Sequence, residues 1–68
     1  MPPHPTLRDL RRAAGMSVTD VARRVKCVDQ TVYAWEQGRK RPRGDMLDRL
    51  AAALGQARPE VAAAIERR

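Results

Sequence analysis

Short apolar stripes at helical spacing, separated by glycines and brief breaks, constrain the fold of this chain more than any other feature. Apolar residues at positions i, i+3, i+4 and i+7 lie on one face of an α-helix. One stripe consists of Val18, Val21, Ala22 and Val25, and a second, after a break at Lys26 and Cys27, consists of Val28, Val32 and Trp35. The two stripes predict two short helices in close succession, helix 2 and helix 3, and no segment alternates as a strand would.

The starts of helices 1 and 2 carry the same capping pattern. Thr6 is followed three residues later by Asp9, and Ser17 is followed by Asp20. This spacing is typical of a capping box, in which each side chain bonds the backbone amide of the other residue. We therefore expect helix 1 to begin after Thr6 and to end at Gly15, and helix 2 to begin after Ser17.

Glycine, proline and aspartate mark the remaining helix ends. Gly38 suits a left-handed end to helix 3, and Gly55 suits the end of helix 4. Asp45 is expected to cap helix 4, and Pro59 suits the first position of helix 5, where its missing amide donor costs nothing. The stripe of helix 4 is Leu47, Leu50, Ala51 and Leu54, and that of helix 5 is Val61, Ala64 and Ile65. The predicted fold class is all-α, a compact bundle of five short helices.

The chain length limits this bundle to one domain. A chain of 68 residues buries only about 60% of the surface that it exposes when unfolded, so its core must be small. Residues 1–5 are expected to form a flexible arm, because their prolines favour extended backbone. Residues 6–68 form the predicted domain, with its core at 6–55 and helix 5 at about 59–67. The alanine-rich face of helix 5 is expected either to complete the core or to form a dimer contact.

The net charge indicates an anionic partner. The chain has 14 Lys and Arg residues against 8 Asp and Glu, which leaves a net charge of +6. Nucleic acid is a commoner partner for such a charge than an anionic membrane surface. No apolar run is long enough to cross a bilayer, and no signal peptide is recognisable. We therefore expect a soluble, cytoplasmic protein associated with the nucleoid.

Reactive side chains are too few to form a catalytic site. Cys27 is the single cysteine and His4 the single histidine, which excludes an internal disulfide and a set of zinc-binding thiolates. A nucleophile, a base and an orienting group cannot converge in one cleft from so small a set. We therefore expect no enzyme, no metal and no cofactor, with Cys27 as a small buried apolar filler.

Helices 2 and 3 carry a resemblance to a known family. Ala22 permits close approach of a second helix, and a break of about three residues forces a sharp turn, as in a helix-turn-helix. With the segments "LRDLRRAAGMSVTDVARRV" and "TVYAWEQGRKRPRGDMLDRLAAALG", the chain resembles the phage-repressor and Cro type of helix-turn-helix domain, the XRE family, from Leu7 to Gly55. The resemblance implies a lambda-repressor-like fold that binds double-stranded DNA with helix 3 in the major groove.

The outward face of helix 3 holds the candidate base contacts. A helical wheel turns Val28, Val32 and Trp35 inward, and it turns Gln30, Tyr33, Ala34 and Gln37 outward. Gln30 offers an amide donor and an acceptor that together match adenine. Tyr33 is expected to stack on a sugar or to reach a phosphate, and Ala34 to contact a thymine methyl group. A merely solvated helix face is the alternative interpretation.

Asp29 stands where the resembled family has its first base-contacting side chain. It is expected either to accept a hydrogen bond from cytosine or to cap helix 3, and we favour capping because Val28 cannot cap. Thr31 is the other candidate reader beside Gln30. The candidate base contacts are therefore Asp29, Gln30, Thr31, Tyr33 and Ala34.

Candidate phosphate contacts follow helix 3 directly. They are Arg39, Lys40, Arg41 and Arg43 of "RKRPR", together with Lys26 in the turn. A loop leaving the recognition helix passes along the edge of the groove, where cations meet phosphates. Pro42 stiffens this loop and reduces the entropy lost on binding. A solvated basic loop is the alternative.

Two positions depart from the resembled family. Val18 replaces a residue that is often a phosphate-bonding Gln, and Lys26 replaces the usual turn glycine. Val18 leaves only backbone amides to meet a phosphate there, and a left-handed Lys26 carries some strain.

Arg11 and Glu36 are expected to form a structural ion pair. Arg11 lies on the inner stripe of helix 1 with Leu7, Leu10 and Ala14, where an unpaired charge would be costly. In the resembled family, the positions of Arg11 and Glu36 form a partly buried pair between helices 1 and 3.

Two functions follow from these expectations. The first is a transcriptional regulator, a repressor, that binds a short operator as a homodimer, since one such module reads only a few base pairs. The second is a protein-interaction module, such as the DNA-binding half of an antitoxin or a bridging factor, whose main partner is another protein.

Overall fold

The computed structural model describes residues 3–67, and within them the all-α prediction is confirmed. The five helices are α1 (Leu7–Ala13), α2 (Val18–Val25), α3 (Asp29–Glu36), α4 (Gly44–Leu54) and α5 (Arg58–Arg67). No strand occurs in this part of the chain. Met1 and Pro2 of the predicted arm, and Arg68 at the end of the predicted domain, lie outside the described residues.

The two predicted capping boxes are confirmed. The Asp9 amide donates to the Thr6 hydroxyl over 3.3 Å, and the Thr6 amide donates to the Asp9 carboxylate over 2.9 Å. The corresponding distances at Ser17 and Asp20 are 3.1 Å and 2.9 Å. Hydrogen bonds from the backbone amide and then the hydroxyl of the capping residue lower the pKa of each carboxyl, because they favour the charged form.

Two other capping predictions are wrong. The residues that cap α3 and α4 are Val28 and Arg43, and neither has a side-chain hydrogen bond to its helix. Asp29 and Asp45 lie inside the first turns, because both helices begin earlier than their first acidic residue suggests. Each acid still lies near the positive end of its helix dipole. Pro59 is likewise the second residue of α5 rather than the first.

The predicted left-handed helix ends occur. Gly55 closes α4 with φ 65°, and Gly38 follows α3 with φ 74°. Lys26 closes α2 with φ 67° and ψ 51°, and it is the one residue other than glycine with positive φ among those described. This conformation is sparsely populated by residues with a Cβ atom. The predicted strained turn at Lys26 is therefore confirmed.

The apolar stripes converge on one core, except at Val28 and at Ala14, which is exposed at the C-terminal end of α1. The buried apolar residues are Leu7, Leu10, Val18, Val21, Ala22, Val25, Val32, Ala34, Trp35, Leu50, Ala51, Leu54, Val61, Ala64 and Ile65. The prediction that Val28 points inward is wrong, since it is 61% exposed. Val28 precedes α3, so the helical wheel that placed it with Val32 does not apply there. Cys27 is only partly buried against the core, and this burial, with a smaller effect of Asp29, raises the pKa of its thiol.

The helices pack so that α5 closes the core behind the helix-turn-helix. Helix α2 packs against α3 and α4, α4 against α5, and α5 against α1. Val61 and Ala64 of α5 are fully buried. The face of α5 that carries Val61, Ala64 and Ile65 therefore completes the core, as one of the two expectations for this helix states.

Candidate nucleic-acid interface

A tight turn sets the angle between α2 and α3. The left-handed backbone of Lys26 reverses the chain after α2, and the Cys27 amide donates to the Ala22 carbonyl over 2.9 Å. Val21 and Ala22 lie buried in the core, where a small side chain lets helices approach closely. The residues thus fold into the helix-turn-helix arrangement that their spacing predicts.

Beyond Asp29 in its first turn, the outer face of α3 presents uncharged polar side chains. Gln30 and Gln37 are exposed, Tyr33 is 48% exposed, and Thr31 is half-buried. The helix has 8 residues, so at a rise of about 1.5 Å per residue it is about 12 Å long. An α-helix with its side chains is about 10–12 Å in diameter, which matches the major groove of B-DNA, about 12 Å wide.

Ala34 does not belong to this face, and its predicted outward orientation is wrong. It is only 6% exposed. Its carbonyl accepts hydrogen bonds from the amides of Arg39 at 2.9 Å and Lys40 at 3.4 Å. The chain that leaves α3 therefore bonds back to the Ala34 carbonyl, and because Ala34 is buried its methyl group is not available to a thymine. A helical wheel cannot anticipate this burial, because it shows only the residues of the helix and none of the segments that pack against it.

Asp29 bonds a side chain of α2 instead of capping α3. Its Oδ2 atom accepts a hydrogen bond from the Thr19 hydroxyl over 2.7 Å. Asp29 is exposed and Thr19 is half-buried. The sequence holds no signal for this contact, because the two residues belong to different helices and match no capping pattern.

The predicted ion pair between α1 and α3 is confirmed. Arg11 Nε lies 2.7 Å from Glu36 Oε2, and Arg11 Nη2 donates to Glu36 Oε1 over 3.4 Å. A third bond runs from Arg11 Nη1 to the Met16 carbonyl over 3.0 Å. The side chains of Arg11 and Glu36 are only 13% and 9% exposed. The pair therefore fixes α3 against α1 and against the turn before α2.

The segment after α3, residues 39–43, carries four exposed cations outside any helix; we call it the basic segment. Arg41 bonds Glu66 of α5, with Nη2 2.8 Å from Oε2. Within residues 3–67, the other three cations, Arg39, Lys40 and Arg43, form no ion pair. These three charges are therefore free to meet an external anion, whereas Arg41 already has an anion within the chain.

Two further arginines lie beside the outer face of α3. Arg8 and Arg12 of α1 line an open cleft of about 830 Å³ together with Ser17, Tyr33 and Gln37. Sequence reasoning missed them as site residues, although "LRDLRR" places both opposite the inner stripe of helix 1. Asp9 and Glu36 also line the cleft, so Arg8 and Arg12 leave it only a small excess of positive charge next to the polar face of α3.

Among residues 3–67, neither a membrane-spanning helix nor a group of metal ligands occurs. No helix in this range is long and apolar enough to cross a membrane. The same residues contain no group of three or more His, Cys, Asp or Glu side chains placed to hold a metal ion.

The chain belongs to the helix-turn-helix domain family, whose sequence model matches residues 6–64. This agrees with its resemblance to phage-repressor and Cro-type domains, and it makes the chain a DNA-binding domain by family. Neither the curated proteins nor the solved structures include a match to the chain.

Proposed function

We propose that this chain is a sequence-specific transcriptional regulator, a repressor, that reads double-stranded DNA with α3 in the major groove. One observation carries the proposal: exposed, uncharged polar side chains on α3 are followed directly by the basic segment. Base edges in the groove require side chains that donate and accept, and the flanking phosphates require cations. The chain carries both kinds of group, with the polar side chains on α3 and the cations in the segment that directly follows it.

Gln30 is the proposed principal reader of bases. It is exposed in the first turn of α3, and the first turn is the part of a recognition helix that contacts base edges. Its amide matches the donor and acceptor of adenine, a pairing worth about 1–3 kcal/mol against the wrong base. Thr31 and Tyr33 are proposed to support it, Thr31 at a neighbouring base and Tyr33 at the sugar–phosphate edge.

Phosphate contacts are proposed for the basic segment and for Lys26. Four free cations, Arg39, Lys40, Arg43 and Lys26, imply a slope of log affinity against log salt of about −3.6 for each monomer, at about −0.9 for each phosphate. Arg41 is also proposed to contact phosphate, but its bond to the Glu66 carboxylate must first break. Its net contribution is therefore expected to be smaller.

A homodimer is proposed for binding to a full operator. A helix of 8 residues reaches only a few base pairs, and helix-turn-helix modules commonly double their site by pairing on DNA half-sites. Because DNA is the proposed partner, the proposed location is the nucleoid within the cytoplasm.

Random-site selection with the purified chain tests this function. A defined consensus is expected for the wild type, and Gln30→Ala is expected to lose the preference at one position while keeping the rest. Gln56→Ala, in the turn between α4 and α5, is a matched control that should keep the whole consensus. A chain that enriches no sequence contradicts the proposal, and would favour the protein-interaction module as the function.

A further inference from the structure

We infer that Thr19 is a positioning residue that holds Asp29 to read a cytosine in the major groove; this inference rests on the proposed function. The contact that carries it is the 2.7 Å hydrogen bond from the Thr19 hydroxyl to Asp29 Oδ2. The bond joins the second residue of α2 to the first residue of α3. It ties the side chain that opens the recognition helix to a second helix.

The carboxylate of Asp29 keeps an acceptor free for DNA. Asp29 is exposed, and it makes no capping bond to α3. Among the described residues, its Oδ1 atom accepts no hydrogen bond from a side chain, whereas Oδ2 is occupied by Thr19. A carboxylate has several acceptor sites, so one bond from a hydroxyl leaves others available.

An acceptor without a donor selects cytosine among the bases. The donors on the major-groove edge are the N4 amino group of cytosine and the N6 amino group of adenine. The adenine amino group lies between two acceptors, N7 of its own ring and O4 of the paired thymine, which repel a carboxylate. The cytosine amino group has an acceptor on one side only, O6 of the paired guanine. An ionised carboxylate is therefore stabilised best opposite cytosine.

Thr19 makes this reading effective by fixing the carboxylate. A free aspartate near DNA is repelled by the phosphates, and it would turn away from the groove. The hydroxyl of Thr19 has one proton, and that proton is donated to Asp29, so Thr19 cannot also donate to a phosphate. Its task is then to hold Asp29, and its loss should affect the same base position as loss of Asp29.

Site selection with matched variants tests this inference. The wild type is expected to prefer cytosine at one position by about fivefold, the low end of the range for a base contact. Asp29→Ala should abolish that preference alone, and Asp29→Asn should shift it to adenine, since an amide matches adenine. Thr19→Val, which keeps the shape without the hydroxyl, should weaken the same position, and Thr19→Ser should retain it.

Three results would overturn the inference, and they differ in whether the proposed function fails with it. If the wild type has a consensus that depends on Gln30 but no cytosine that depends on Asp29, the inference fails and the proposed function stands. If Thr19→Val lowers the melting temperature but leaves the preferences of the folded protein unchanged, Thr19 is only a clamp between helices. If the wild type has no consensus at all, the proposed function fails, and the inference fails with it.

Discussion

Removing either partner of the ion pair between Arg11 and Glu36 should destabilise the domain by about 3–5 kcal/mol, because the remaining charge stays largely buried without its partner. With side chains only 13% and 9% exposed, neither group can recover its hydration without disrupting the packing of α1 on α3. Arg11→Ala additionally removes the donor to the Met16 carbonyl. Domains have about 0.05–0.15 kcal/mol of stability for each residue, so a chain of 68 residues loses a large share of its total.

Urea and thermal unfolding followed by circular dichroism measure this loss. Each kcal/mol lowers the melting temperature of a domain of this size by roughly 4–8 °C, so a loss of at least about 12 °C is expected. The double variant Arg11→Met with Glu36→Leu should be more stable than either single alanine variant, since it leaves no charge unpaired.

The second ion pair at a long sequence separation supplies a matched control. Arg41 and Glu66 have side chains that are 67% and 56% exposed, and exposed pairs contribute about 0–1 kcal/mol. Arg41→Ala should therefore unfold almost as the wild type does. If Arg11→Ala and Glu36→Ala also unfold within about 1 kcal/mol of the wild type, burial does not determine the free-energy cost of removing one partner of the pair.

Three further outcomes are expected. Arg43→Ala should flatten the slope of log affinity against log salt by about 0.9 and weaken binding to cognate and random DNA alike. Glu66→Gln should steepen the slope, because it frees Arg41. Unchanged slopes in both variants would mean that the basic segment is only a solvated loop. Val28→Thr should raise the free energy of unfolding, measured with urea, by about 0.5–2 kcal/mol. The backbone of Val28 already has the extended conformation of a helix cap and lacks only a side-chain oxygen that could accept from α3. The lowered pKa values of Asp9 and Asp20 stabilise the fold above their ordinary pKa of 3.8, and this contribution is lost as the pH falls through the folded-state pKa. Acid titration of unfolding should therefore show a weaker pH dependence when both are replaced by Asn.

Local chemistry made much of the fold predictable. A hydroxyl with an acid three residues later specifies a helix start on its own, and this is how Thr6 and Ser17 were assigned correctly. Glycine after an apolar stripe similarly marks the left-handed end of α4 at Gly55. The pair of Arg11 and Glu36 followed from a charge on an apolar stripe, together with the resemblance to a family that pairs these positions.

Contacts between distant segments were not predictable in the same way. A helical wheel misplaces Val28 because it extends helical geometry to a residue that precedes α3. It misplaces Ala34 because it does not include the segments that pack against the helix. Thr19 and Asp29 meet only because the left-handed turn at Lys26 sets the angle between α2 and α3. No spacing in the sequence encodes that angle, so this part of the candidate site is evident only in the three-dimensional structure.

Mapping of backbone amide shifts by NMR, during titration with a selected duplex, tests most directly whether α3 enters the groove. We expect the largest shifts at residues 29–33 and in the basic segment, with little change on the outer face of α5. Arg43→Ala should reduce the shifts in the basic segment, while those in α3 persist at low salt. Largest shifts on α5, or shifts in α3 no greater than those caused by salt alone, would contradict the claim that α3 reads the DNA.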